Sequence, residues 1–118
     1  MRRPETRKYL FDIEPVCRLL AQFASGKTFA NYQNDALLRS GVERQFEVIG
    51  EALNQAIRLD PGLAHRISDS SRIISFRNRL IHAYASIADE VVWGVLEANL
   101  SKLHLEIREL LAELDTNR

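Results

Sequence analysis

The stretch DEVVWGVLEANLSKLHLEIRELLAEL, residues 89–114, places Val92, Leu96, Leu100, Leu103, Ile107, Leu110 and Leu114 at steps of three and four. On a helix that spacing gathers the apolar side chains into one stripe; on a strand, with period two, it would scatter them over both faces. The stretch therefore predicts a long amphipathic helix. Ser86 is placed to cap it, and Asp89 and Glu90 stand against the positive end of its dipole. The near-heptad stripe is expected to pack inside its own bundle; a second reading gives part of it to a dimer surface.

The same period runs through the rest of the chain. Leu10, Ile13, Cys17, Leu20 and Ala24 mark a first helix that ends before Gly26. Thr28 or Asn34 caps the next, whose apolar set is Leu38, Val42, Phe46, Ile49, Leu53 and Ala56, with Pro61 as its stop. A short turn of helix is expected over 62–66. Ser70 or Ser71 then caps a third long helix that turns Ile73, Phe76, Leu80 and Ala83 inward. The fold expected is all-α, an antiparallel up-and-down bundle of four long helices plus a short connecting helix, with residues 1–118 as a single domain.

Composition narrows the functional classes. Apolar residues make up 46% of the 118 and charged residues 27%, with a formal net charge of zero. No global positive field draws the protein to nucleic acid, so any such contact must come from a local cluster. The cations are 13 Arg against 3 Lys. A lone cysteine, Cys17, excludes an internal disulfide and a multi-cysteine zinc site, and its place in the first stripe predicts a buried core thiol. No apolar run approaches the roughly 18 residues needed to span a membrane. Met1-Arg2-Arg3-Pro4 is followed by Glu5, Arg7 and Lys8 where an export signal needs apolar residues, so a cytoplasmic location is expected.

The chemistry concentrates in residues 71–84, SRIISFRNRLIHAY. At about 100° per residue, with Arg77 at zero, the core face (Phe76, Leu80, Ala83, Ile73) falls between roughly 240° and 320°. Tyr84, Arg77, Asn78 and His82 fan out beside it at about 340°, 0°, 100° and 140°. An RNA phosphodiester can be broken by its own 2′-hydroxyl without a metal if three things are supplied. His82 can act as general acid or base. Arg77 can meet the charge growing on the non-bridging oxygens. Asn78 can hold the phosphate or the imidazole. Arg72 and Arg79 add local positive charge that can steer the strand.

Glu47 and Glu51, four residues apart on the second long helix, can each pair with Arg77 or orient His82, Glu51 being the preferred partner. Gly50 beside them signals close helix packing. The remaining histidines, His65 and His104, read as surface residues, and Trp93 as a packing residue. The histidine spacing offers no metal site, and no cofactor is expected.

Arg77-Asn78-x3-His82-x-Tyr84 resembles the Arg-x4-His-x-Tyr signature of HepT-like toxins, a branch of the HEPN superfamily. The likeness extends over about 9–114: Tyr9-Leu10-Phe11-Asp12-Ile13 is similar to the family's first-helix opening, Glu47-Val48-Ile49-Gly50-Glu51-Ala52 to its second-helix block, and Val92-Trp93 to the start of its last helix. Many relatives carry a tryptophan shortly before the motif, where this chain has Asp69-Ser70-Ser71-Arg72. The resemblance implies an endoribonuclease toxin acting on mRNA or tRNA. It implies a homodimer that brings two motifs to one cleft, and a separate minimal nucleotidyltransferase antitoxin that attaches AMP to Tyr84. No Gly-Ser…Asp-x-Asp pattern occurs here, so that partner would be another polypeptide. A different class stays open beside this one: a silent helical module that binds nucleotide or serves as accessory subunit of a nucleotidyltransferase.

Overall fold

The structure is a computed structural model, and it describes residues 4–82 and 87–116. Across them every regular element is a helix: α1 Pro4–Ala24, α2 Phe29–Gln33, α3 Ala36–Leu59, a 3-10 turn Pro61–His65, α4 Ser70–His82 and α5 Asp89–Thr116. The stripes read from the sequence are the buried faces. Leu10, Ile13, Cys17 and Leu20 of α1 and Val42, Phe46, Ile49, Leu53 and Ala56 of α3 meet Val92, Leu96, Leu100, Leu103, Ile107 and Leu110 of α5 in one core. Leu114 is half-buried against it. Burial, and secondarily the charge of Glu14, pushes the Cys17 thiol up to about 12, which suits a core residue.

Helix α3 lies at the centre, packed against α1 on one side and α4 on the other, while α5 lies along α1. Phe23, near the end of α1, covers Gly41, near the start of α3. Arg7 at the start of α1 reaches Asp115 at the end of α5, 2.8 Å away. Both neighbours of α1 therefore run antiparallel to it. Gly26, at φ 71°, takes the left-handed conformation that lets the chain leave α1.

Three local expectations are corrected. The connection from α1 to α3 holds a helix of its own. Thr28 caps that short α2, its Oγ1 accepting from the Asn31 amide at 3.1 Å while Asn31 Oδ1 accepts from the Thr28 amide at 2.9 Å. Asn34 closes α2, and Asp35 caps α3 by accepting from the Leu38 amide at 3.0 Å. The reason α2 exists is its burial: Tyr32 is fully enclosed and its ring lies 5.3 Å from that of Trp93, a packing residue as expected. At the start of α4, Ser70 is itself the first helical residue, and the one before it is Asp69, at φ 60°. Ala83, Tyr84 and Ser86 lie outside the described residues.

The third correction concerns His104. His65 is exposed, but His104 faces α1, its Nε2 2.7 Å from Glu14 Oε2, with both side chains largely covered. Glu14 also accepts from Arg18 Nε at 2.9 Å. The His104 hydrogen bond, aided by Arg18 and opposed by burial, holds the Glu14 carboxyl below its ordinary value of 4.5. A carboxyl depressed on folding contributes stability above its unfolded value and loses it as the pH falls through the folded one. Acidification is therefore expected to lower Tm less in Glu14→Gln than in the wild type, measured by thermal unfolding from about pH 7 to about pH 3. Equal losses in both proteins would contradict the pairing.

Candidate functional site

Helix α4 rests on α3 through an edge-on ring pair, Phe46 and Phe76, with centroids 5.4 Å apart. One turn on, the helices come closer than side chains normally permit. A Cβ built on Gly50 would stand 2.2 Å from Arg77 Cβ and 2.5 Å from its Cγ. Only a hydrogen at that position lets the stem of Arg77 lie on the α3 backbone, which is the close packing expected of Gly50.

The guanidinium that emerges from this contact is held on two sides. Arg77 Nη2 donates to Glu51 Oε2, and Nη1 donates to Asn78 Oδ1 at 2.8 Å. Its Nε is buried with no hydrogen-bond partner among the described residues. Glu51 accepts in addition from Gln55 Nε2 at 3.0 Å. Of the two carboxylates considered for this place, Glu51 occupies it and Glu47 pairs with Arg44 at 3.4 Å. A guanidinium has five N–H donors, so with one given to Glu51 and one to Asn78 the two terminal nitrogens keep others for an anion.

Asn78 and His82 are exposed, one helical turn apart, on the side of α4 turned away from the core. His82 is the last residue of the helix and takes no hydrogen bond or ion pair among the described residues. The structure thus brings Glu51, Arg77 and Asn78 into one hydrogen-bonded chain, while His82, one turn beyond Asn78, makes no hydrogen bond to Arg77. Arg72 and Arg79 are exposed, and Arg72 Nη1 lies 3.7 Å from Asp69 Oδ1. Among the described residues no three His, Cys, Asp or Glu side chains are grouped to hold a metal ion, and no helix is long and apolar enough to cross a membrane.

A feature the sequence did not reveal lies beside α4, on the side facing α5. The chain before the helix is fastened to α5: Glu106 accepts from the Ser68 amide at 3.0 Å and from its hydroxyl at 2.7 Å, and Asn99 Nδ2 donates to Asp69 Oδ2 at 3.1 Å. Beyond these ties α4 packs on α3, and a groove of about 660 Å³ opens between α4 and α5. Asp69, Asn99, Val91, Val95 and Ala98 line it together with Arg72 and Arg79. No periodicity announces it, because it depends on how two helices diverge.

Comparison with known proteins shows what the chain is similar to. The family model described as "Ribonuclease HepT-like" matches residues 13–110. The chain is 28% identical over 108 residues to a protein of Thermococcus cleftensis named "Probable ribonuclease HepT", covering 88% of this chain and 94% of that one. It is 26% identical over 105 residues to a protein of Caldanaerobacter subterraneus named "Putative RNase", covering 89% and 93%. A Methanocaldococcus jannaschii protein of the same description is 25% identical over 119 residues, covering 98% and 94%. No solved structure matches.

The Gly50 contact makes a prediction of sign. Ala in place of Gly in a helix interior ordinarily gains about 1 kcal/mol. Here Gly50→Ala is expected to cost more than about 2 kcal/mol, since α3 and α4 must separate to admit the methyl. Urea unfolding measures it, and a stabilised variant would contradict the contact.

Proposed function

The chain belongs to the ribonuclease HepT-like family, and on that premise we propose that it is a metal-independent endoribonuclease whose site is Arg77, Asn78 and His82. The observation that carries the reading is the hydrogen-bonded chain from Glu51 of α3 to Arg77 and Asn78 of α4, the helix whose exposed end presents His82. Glu51 fixes the guanidinium. Asn78, giving its oxygen to Arg77, keeps its NH2 for a phosphate oxygen or for the imidazole.

In the reaction the 2′-oxygen loses its proton to a base and attacks the adjoining phosphorus. The P–O5′ bond breaks and the 5′-oxygen takes up a proton. The products are a 2′,3′-cyclic phosphate and a 5′-hydroxyl. His82 serves as the general acid or base, and the free N–H groups of Arg77 stabilise the negative charge that grows on the phosphoryl oxygens. The need for a 2′-hydroxyl selects RNA over DNA. Since no hydrogen bond joins His82 and Arg77 among the described residues, a homodimer that sets two copies of α4 at one cleft would let the histidine of one copy and the arginine of the other share a phosphate.

Regulation in this reading belongs to a separate minimal nucleotidyltransferase. It attaches AMP to Tyr84, adding bulk and negative charge that would block RNA entry. The pair would then act as toxin and antitoxin. A second reading is favoured by one observation, the commitment of Arg77 to Glu51. In that case the motif arginine is a structural ion pair, and the domain is a silent nucleotide-binding or accessory subunit.

Cleavage of RNA in EDTA separates the two. The nuclease reading expects products ending in 2′,3′-cyclic phosphate and a loss of about 10²–10⁴-fold in a folded His82→Ala protein. A strict Mg²⁺ requirement, or full activity in His82→Ala, would overturn the mechanism; intact RNA in every assay would favour the accessory module. Co-expression with the nucleotidyltransferase is expected to raise the intact mass by multiples of one AMP, with no increase in Tyr84→Phe. An increase that persists in Tyr84→Phe places the modification elsewhere.

A further inference from the structure

We propose that the groove between α4 and α5 seats the single-stranded RNA flanking the cleaved bond, an inference that rests on the ribonuclease reading above. Around α4, again with Arg77 at zero, Ser71, Ser75, Asn78 and His82 fall at about 120°, 160°, 100° and 140°. They form one row along the helix, and Ser71 and Ser75 of that row line the groove. His82 therefore stands at the end of the same track, and a strand lying in the groove leads to it.

The chemistry of the walls fits a single strand. On the α4 side Arg79 has no ion-pair partner among the described residues. Arg72, whose side chain is 81% exposed, has only the long contact with Asp69, which a phosphate can displace at little cost. The two arginines are seven residues apart on one helix, about 10 Å along its axis. That is the rise of three stacked nucleotides at roughly 3.4 Å each.

The α5 side is apolar. Val91, Val95 and Ala98, spaced by four and three, form a strip facing the arginines. Charge for the backbone on one wall and a dry surface for base faces on the other is the division of labour by which proteins hold single strands. The volume, about 660 Å³, lies within the roughly 300–1,000 Å³ of ordinary ligand sites. A chain with no net charge gains from such a site, because these local cations must supply its affinity for RNA.

The test separates binding from cleavage. A short fluorescein-labelled RNA blocked at every 2′-position by O-methyl groups is titrated into the protein by anisotropy. The wild type is expected to bind it. Ala98→Glu, which puts a carboxylate at an exposed position of the dry wall, is expected to weaken binding about tenfold or more, and Val91→Glu, at a second exposed position, to do the same. Arg79→Gln should lower the slope of log affinity against log salt by about 0.7. Arg58→Gln, which removes the same charge from an exposed place on α3, should leave affinity unchanged.

With cleavable RNA, Ala98→Glu is expected to raise KM more than it lowers kcat. Wild type that binds blocked RNA through the groove yet cuts no RNA keeps this inference and removes the nuclease reading. Cleavage and binding that ignore both glutamate substitutions overturn the inference and leave the nuclease reading standing. A wild type that does not bind the RNA overturns it too. So does an Ala98→Glu protein that changes only from dimer to monomer in sedimentation with RNA affinity intact, since the groove then holds a second copy of the chain.

Discussion

The absence of a single methyl group sets the geometry of this protein. Because Gly50 has no side chain, the stem of Arg77 lies directly on α3, and Glu51, the next residue, is in place to hold the guanidinium as it emerges. The Phe46–Phe76 ring pair fixes the same two helices a turn away. With α4 committed to α3, its opposite flank is left standing off α5, and the groove exists for that reason. The close approach thus orders Arg77 and Asn78, turns His82 to solvent and opens the neighbouring surface.

Electrostatics makes this arrangement suited to a phosphate. An arginine in a half-buried contact would be costly without its carboxylate, and a fully neutralised arginine would have little left for a substrate. Here one donor is given to Glu51 and another to a neutral amide, so the guanidinium is fixed in place while unused N–H groups remain. The side chain is ordered before a ligand arrives, which spares the entropy a free surface arginine would lose on binding. Elsewhere the ion pairs play a different part. Arg7 with Asp115, Arg66 with Glu113 and Glu14 with His104 fasten the C-terminal half of α5 to α1 and to the turn before α4.

The helices were legible in the sequence because each buries one face, and a one-sided burial writes a period near 3.6 into the apolar positions. A five-residue helix is too short to write such a period, so the sequence announces neither α2 nor the role of Asp35 as the cap of α3. The choice of Glu51 over Glu47 was within reach because Gly50 stands beside it, and a glycine inside a helix asks for a reason. The place of His104 against α1 is not legible locally, because its partner, Glu14, is 90 residues away. The groove and the left-handed Asp69 at its end depend on the angle between α4 and α5, which no single segment encodes.

The central claim is that this surface uses the 2′-hydroxyl of RNA as the attacking group. A DNA strand carrying one ribonucleotide tests it most directly. In EDTA the account predicts one cut, immediately 3′ of the ribose, leaving a 2′,3′-cyclic phosphate there and none when that 2′-oxygen is methylated. Cleavage of the all-DNA strand, or cuts away from the ribose, would contradict it.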